Sequence, residues 1–144
     1  MNESSSKAGS DTLAQGDLIY FDLPALAEFT DPGPSVRVLS DVGASRAVLF
    51  TFRAGQRLKE HHTSSQILVQ VISGKIAFDA RGHTIEAAAG VLLQLERNVP
   101  HSIVAVTDAS VLVTMTPSPR LHSLSGEVFD KLTPMVTRRK PLRL

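Results

Sequence analysis

Between residues 36 and 116 the sequence is a succession of short apolar segments, and this pattern constrains the fold more than any other feature. Each segment is five to seven residues long and rich in Val, Ile, Leu, Phe and Thr. The connections carry the Gly, Asp, Asn and Pro that tight turns need. Regularly spaced short strands favour a β-sandwich or a β-barrel. The predicted strands are VRVLS, RAVLFTF, ILVQVI, KIAFDA, HTIEAA, VLLQL, HSIVAV and VLVTMT, with LIYFDL as an earlier one.

Strand parity predicts which side chains form the core, because residues two apart share a face of the sheet. KIAFDA alternates as a half-buried strand does, whereas ILVQVI is apolar on both faces. We expect ILVQVI to be covered on both sides, by a second sheet or by another subunit, and therefore predict a homodimer. The predicted core is Val48, Phe50, Phe52, Ile76, Phe78, Val111, Val113 and Met115.

Length and composition limit the possible functions. The 144 residues suffice for one domain. We expect a flexible tail over 1–16, a barrel over 17–120 and an extension over 121–144, the last with a short helix at SGEVFDKL and a basic solvated end.

The formal net charge of +1 and the sparse aromatic residues predict no binding to nucleic acid, and the apolar runs are too short for a membrane helix.

The absence of cysteine excludes disulfides, thiolate nucleophiles and cysteine-bound zinc. The start of the chain lacks the apolar region of a signal peptide, so we predict a cytoplasmic protein. Ser64 and Ser65 have no sequence context of a nucleophile elbow. The lack of cysteine leaves histidine, carboxylate and hydroxyl chemistry. We predict that His83, beside a glycine turn, is exposed and that His122 is a surface or interface residue.

The spacing of glycines and histidines resembles the two sequence blocks of the cupin family. Five residues separate Gly55 from His61, and the next strand ends at Gly74. Fifteen residues separate Gly74 from Gly90, and His101 follows Pro100. The resemblance covers about residues 35 to 117. It implies an all-β, cupin-like jelly-roll barrel (a double-stranded β-helix), with the N-terminal tail and C-terminal extension described above.

The resemblance also implies where metal ligands would lie. His61 takes the place of the family's first histidine and His101 that of the last. The position of the second histidine falls on Thr63, and that of the glutamate on Ile67, or on Leu68 with the longer spacing. Two of the four usual ligands are therefore missing, whereas facial-triad iron sites and tight zinc sites need three or four protein ligands.

Two neighbours of these positions are alternative ligands. His62 offers a third imidazole, but regular strand parity turns it away from His61 and Thr63 unless the strand bulges there. Gln66 lies next to the glutamate position and offers an amide oxygen under the same shift of register. The alternative is a pocket without metal, in which His61 and His101 bind a ligand or ordered water. No cofactor is predicted outright, and a divalent transition metal is the alternative.

Three functions agree with the sequence. The first is a small-molecule-binding cupin domain with a degenerate metal site, in which His61, Thr63, Gln66 and His101 contact the ligand. The second is a metal-dependent enzyme, resembling the family's dioxygenases and isomerases, with a reduced ligand set. The third is an interaction or regulatory module that uses the outer sheet and the basic tail. Whether the protein is an enzyme is left open by the sequence.

Overall fold

The computed structural model describes residues 12–15 and 18–119, which form eleven strands and one short helix. The predicted helix at SGEVFDKL, the basic tail and His122 lie outside the described residues. The elements are β1 (Thr12–Gln15), β2 (Leu18–Phe21), α1 (Leu23–Leu26), β3 (Ser35–Asp41), β4 (Arg46–Phe52), β5 (Arg57–His61), β6 (Gln66–Ser73), β7 (Lys75–Ala80), β8 (His83–Ala88), β9 (Leu92–Leu95), β10 (His101–Ala105) and β11 (Ala109–Thr116).

Two antiparallel sheets pack face to face to form the barrel. The five-stranded sheet has the order β3-β4-β11-β6-β9, and the four-stranded sheet has the order β5-β10-β7-β8. From β4 to β11 the chain crosses from one sheet to the other at every connection except the β7–β8 hairpin, as in a jelly roll. This arrangement confirms the predicted all-β, cupin-like fold.

The core lies between the sheets and follows the predicted parity. In β6 the buried residues are Ile67, Val69 and Val71, and in β7 they are Ile76 and Phe78. Phe50 and Phe52 stack with ring centroids 6.4 Å apart. All eight residues predicted for the core belong to one buried cluster.

The outer face of β6 is not covered by a second sheet. Leu68 and Gln70 point away from the core and are exposed within the chain. The inner face alone is buried, so the expectation of cover on both sides is not met by this chain. The predicted homodimer is the remaining explanation for an apolar outer residue such as Leu68, and it stays a prediction.

Three short elements were not predicted. β1 lies within the segment predicted to be a flexible tail, and it pairs with β2 in a separate two-stranded sheet. α1 begins after Asp22, whose side chain accepts a hydrogen bond from the Ala25 amide. β5 has the sequence RLKEH, in which Leu58 is the single buried side chain, so it shows no apolar alternation.

The barrel has two different ends. At the turn end, Gly74 connects β6 to β7 and the 106–108 turn connects β10 to β11. At the other end, which we call the histidine end, residues 62–65 connect β5 to β6 and residues 96–100 connect β9 to β10. Among the described residues, no helix has the length and hydropathy needed to cross a lipid bilayer.

Candidate functional site

His61 and His101 lie side by side at the histidine end of the four-stranded sheet. His61 ends β5 and His101 begins β10, and the two are directly paired across the antiparallel strands. Their ring centroids are 4.6 Å apart. The fold therefore brings together two histidines that are forty residues apart in the sequence.

A β-bulge in β5 turns His61 toward the barrel interior. On β10 the paired residues are His101 and Ile103, two apart, whereas on β5 their partners His61 and Leu58 are three apart. The extra residue lies in the Lys59–Glu60 segment, where both side chains are exposed. The bulge thus precedes His61, and His62 is exposed. The shift that would have turned His62 inward does not occur.

Both imidazoles use Nδ1 in the same way. Nδ1 of His61 lies 2.7 Å from the Lys59 carbonyl oxygen, and Nδ1 of His101 lies 2.8 Å from that of Val99. A carbonyl oxygen only accepts, so we assign the proton to Nδ1 and leave Nε2 as the nitrogen with a lone pair in each neutral ring. Metal-binding histidines are commonly oriented by this kind of hydrogen bond.

His101 is uncharged at neutral pH. It is buried, with 5% of its surface exposed, and its ring stacks on Phe78 with centroids 5.7 Å apart. The pKa of His101 is lowered to about 4, chiefly because burial removes water from the ring; the hydrogen bond to Val99 opposes this effect, and electrostatic interaction with His61 and His62 adds to it. The ring is therefore a hydrogen-bond acceptor or a ligand rather than a cation.

The two histidines open onto a narrow, mainly apolar cavity of about 20 Å³. That volume suits about one water molecule. Thr63 contributes a hydroxyl, and its Oγ1 accepts a hydrogen bond from the Ser65 amide. The Thr63 carbonyl accepts from the Asn98 amide at 2.7 Å, which joins the two connections of the histidine end. The cavity is lined by Phe50, Leu58, His61, Thr63, Ile67, Val69, His101, Ile103, Val113 and Met115.

The structure separates the predicted site residues into two groups. His61, Thr63 and His101 line the cavity. Gln66 does not, because it shares the outer face of β6 with Leu68, and no register shift brings it inward. Met115 was predicted only as a core residue, yet it too lines the cavity. From the sequence, the alternation of β11 predicts that Met115 points into the core. It does not predict that Met115 lies opposite the histidines on the other sheet.

The residues of the cavity do not fit the family's usual metal site. Ile67, at the position of the glutamate, presents an aliphatic side chain to the cavity. Among residues 12–15 and 18–119, no group of three or more His, Cys, Asp or Glu side chains is arranged to hold a metal ion. Two imidazoles and a hydroxyl fall short of the three or four strong ligands of tight zinc sites and of the carboxylate of iron triads.

A second, polar groove lies on the outer face of the four-stranded sheet and has a volume of about 290 Å³. Thr84 donates a hydrogen bond to Asp79 there. Glu60 lines this groove rather than the cavity. His83 lies in the same groove and is exposed.

Comparison with protein families matches residues 48–117 to the cupin domain model. The chain is therefore a cupin-domain protein. A comparison with curated protein sequences gave no significant match. The matched region contains the cavity and both histidines, so the cupin domain and the candidate site coincide.

Solved structures, among them two described as cupins, have the same fold. An RmlC-like cupin from Desulfovibrio desulfuricans is 28% identical, with a TM-score of 0.63 over 74% of this chain and 98% of that one. A cupin superfamily protein from Desulfitobacterium hafniense is 16% identical, with a TM-score of 0.64 over 71% of this chain and 93% of that one. KdgF from a Halomonas species is 19% identical, with a TM-score of 0.58 over 60% of this chain and 82% of that one.

Proposed function

We propose that this cupin domain binds a small molecule at His61 and His101 and does not rely on the three- or four-ligand metal site typical of its family. The observation that carries the proposal is the pair of imidazoles, 4.6 Å apart, at the edge of an otherwise apolar cavity. Two acceptor nitrogens beside apolar walls suit a ligand with a hydrogen-bond donor at one end and an apolar group next to it.

The size of the cavity limits the ligand. Pockets for drug-sized molecules measure about 300 to 1,000 Å³, whereas this cavity measures about 20 Å³. We therefore expect a ligand of few heavy atoms, or one that inserts a single group between His61 and Thr63 while the rest stays at the histidine end. Small phenols and short aliphatic alcohols have this combination of donor and apolar surface.

A panel of phenols and alcohols tests the proposal through the free energy of unfolding. A ligand at a hundred times its dissociation constant stabilises the native state by about 2.7 kcal/mol. We expect that stabilisation to be lost in His101→Ala and in His61→Ala. His62→Ala is the matched control, because this neighbouring histidine is exposed. Equal stabilisation of wild type and both cavity variants would remove the histidines from the binding site.

The metal-dependent enzyme and the interaction module have less support. An enzyme of the family's usual type needs a third strong ligand, and the described residues offer none beside His61 and His101. The interaction module depends on the basic tail, which lies outside the described residues, and on exposed outer residues such as Leu68. The predicted homodimer and the cytoplasmic location remain proposals of the same kind.

A further inference from the structure

The hairpin of β1 and β2 exposes an apolar face. Among the described residues, these two strands pair only with each other. Leu18 and Tyr20 share one face of β2, and each is more than half exposed. The opposite face carries Ile19, which is also exposed, and Phe21, which is half-buried. A two-stranded sheet without cover is at best marginally stable in water, so we expect the face of Leu18 and Tyr20 to pack against another surface.

A second apolar surface is uncovered on the outer side of the five-stranded sheet. On this side Leu49 of β4 is buried, Leu112 of β11 is half-buried, and Leu68 of β6 and Leu92 of β9 are exposed. Exposure therefore increases along the strand order toward the β9 edge. Leu68 and Leu92 are diagonal neighbours, because the residue paired with Leu68 is Gln94, two positions from Leu92. The cover of this sheet thus ends before its last two strands.

Charge distinguishes this surface from the outer side of the other sheet. The outer patch consists of the outward side chains in the paired segments of β6 and β9. These are Leu68, Gln70, Leu92 and Gln94, none of which is charged. The outer side of the four-stranded sheet instead carries Lys75, Asp79 and Glu86, with 3.7 Å between the Lys75 and Glu86 side chains. Cores of protein interfaces are depleted of charged side chains, so the outer patch has the composition of an interface.

The hairpin and the outer patch match in length. The β1–β2 ladder has four residue pairs, and so does the β6–β9 ladder. Both surfaces are exposed in the single chain, so the hairpin does not cover the patch of its own chain. We propose that Leu18 and Tyr20 pack on the outer patch of a second copy, whose hairpin makes the same contact in return. Two identical contacts of this kind close a C2 dimer.

The exposed apolar area agrees with a dimer of ordinary size. Each copy contributes Leu18, Tyr20, Leu68 and Leu92. The exposed part of each side chain is roughly 100 Å², so the two contacts together would bury about 800 Å² of apolar surface. Standard interfaces bury about 1,200 to 2,000 Å² in total, of which somewhat more than half is apolar. The inference goes beyond the proposed function, because this interface is on the outside of the barrel and the ligand cavity lies between the sheets.

The oligomeric state of the full chain is the first test. Sedimentation equilibrium should give a dimer for the wild type. Tyr20→Asp and Leu68→Asp should each raise the dissociation constant by on the order of thirtyfold or more, because each places an unpaired charge in the interface. Both residues are exposed in the single chain, so neither substitution should unfold it.

Val106→Asp is the matched control. Val106 is also exposed, but it belongs to the 106–108 turn and to neither surface, so this variant should remain a dimer. A wild type that stays monomeric at its highest soluble concentration would overturn the proposal. Dimerisation of Tyr20→Asp with wild-type affinity would do the same, because the hairpin would then not be what covers the patch.

Crosslinking identifies which surfaces meet. The chain has no cysteine, so Tyr20→Cys and Leu68→Cys each introduce a single thiol. After the two variants exchange subunits, a short bismaleimide should join a chain of one variant to a chain of the other. Val106→Cys in place of Leu68→Cys should give no such product. A main product between two Leu68→Cys chains would show that patch faces patch, and a crosslink within one chain of the double variant would show that the hairpin covers its own patch. Either result would overturn the proposed interface.

Discussion

The two ends of this barrel are built differently. At the turn end, short connections hold one another through backbone contacts: the Gly55 amide donates to the Ala105 carbonyl, and the Val106 amide donates to that of Lys75. At the histidine end, two longer connections place His61, Thr63 and His101 around a cavity. The connections of the first end are therefore held close together, and the proposed binding site lies at the second.

The largest expected effect comes from the core that both ends share. Phe52 is fully buried, and truncation to alanine leaves a cavity. We expect Phe52→Ala to lower the free energy of unfolding by about 3 to 5 kcal/mol, measured by urea denaturation. Phe29→Ala is the control, because 41% of Phe29 is exposed. A loss under about 1 kcal/mol in Phe52→Ala would mean that this face of β4 is not the core.

The next effect tests the close packing of the turn end. Gly74 has a φ of +77°, and a Cβ built there would lie 2.0 Å from the Asp108 carbonyl oxygen and 2.7 Å from the Ala109 Cα. Backbone strain and overpacking together should destabilise Gly74→Ala by roughly 2 to 4 kcal/mol. Gly90→Ala has similar strain, with a φ of +99°, but no atom within 4 Å. If both substitutions have equal effects in thermal unfolding, the close approach at Gly74 is not real.

The histidine end should make stability depend on pH. Burial lowers the pKa of folded His101 from 6.5 to about 4. Between these values the unfolded chain binds the proton more readily, so stability is complete above pH 6.5 and falls as pH falls toward 4. Each pKa unit corresponds to about 1.4 kcal/mol, so the loss approaches about 3 kcal/mol.

Urea unfolding of wild type and His101→Gln between pH 7.5 and 4 gives the slope of the free energy of unfolding against pH for each protein. The difference between the two slopes is the contribution of His101. Carboxylates titrate in both proteins and cancel in that difference. His83→Gln should keep the wild-type slope, because His83 is exposed. A wild-type slope in His101→Gln would show that another group carries the pH dependence.

The same contrast explains what the sequence could predict. Core faces follow from apolar alternation, as in KIAFDA, and the cupin spacing identified His61 and His101 together. β5 was missed because a strand that buries only Leu58 has no apolar period. The bulge over Lys59 and Glu60 depends on the partner β10 rather than on local residues, so its position was not predictable. The position of Met115 opposite the histidines likewise depends on how the two sheets pack against each other.

The smallest effect distinguishes the two adjacent histidines. His62 is exposed, so His62→Ala should change the free energy of unfolding by no more than about 0.5 kcal/mol. Its effect on the imidazole NMR signals of His101 should also be slight. His61→Ala should shift those signals clearly, because the rings of His61 and His101 are 4.6 Å apart. If His62→Ala shifted the His101 signals as much as His61→Ala, the strand would turn both histidines toward the cavity, and His62 would again be the third imidazole that a metal site requires.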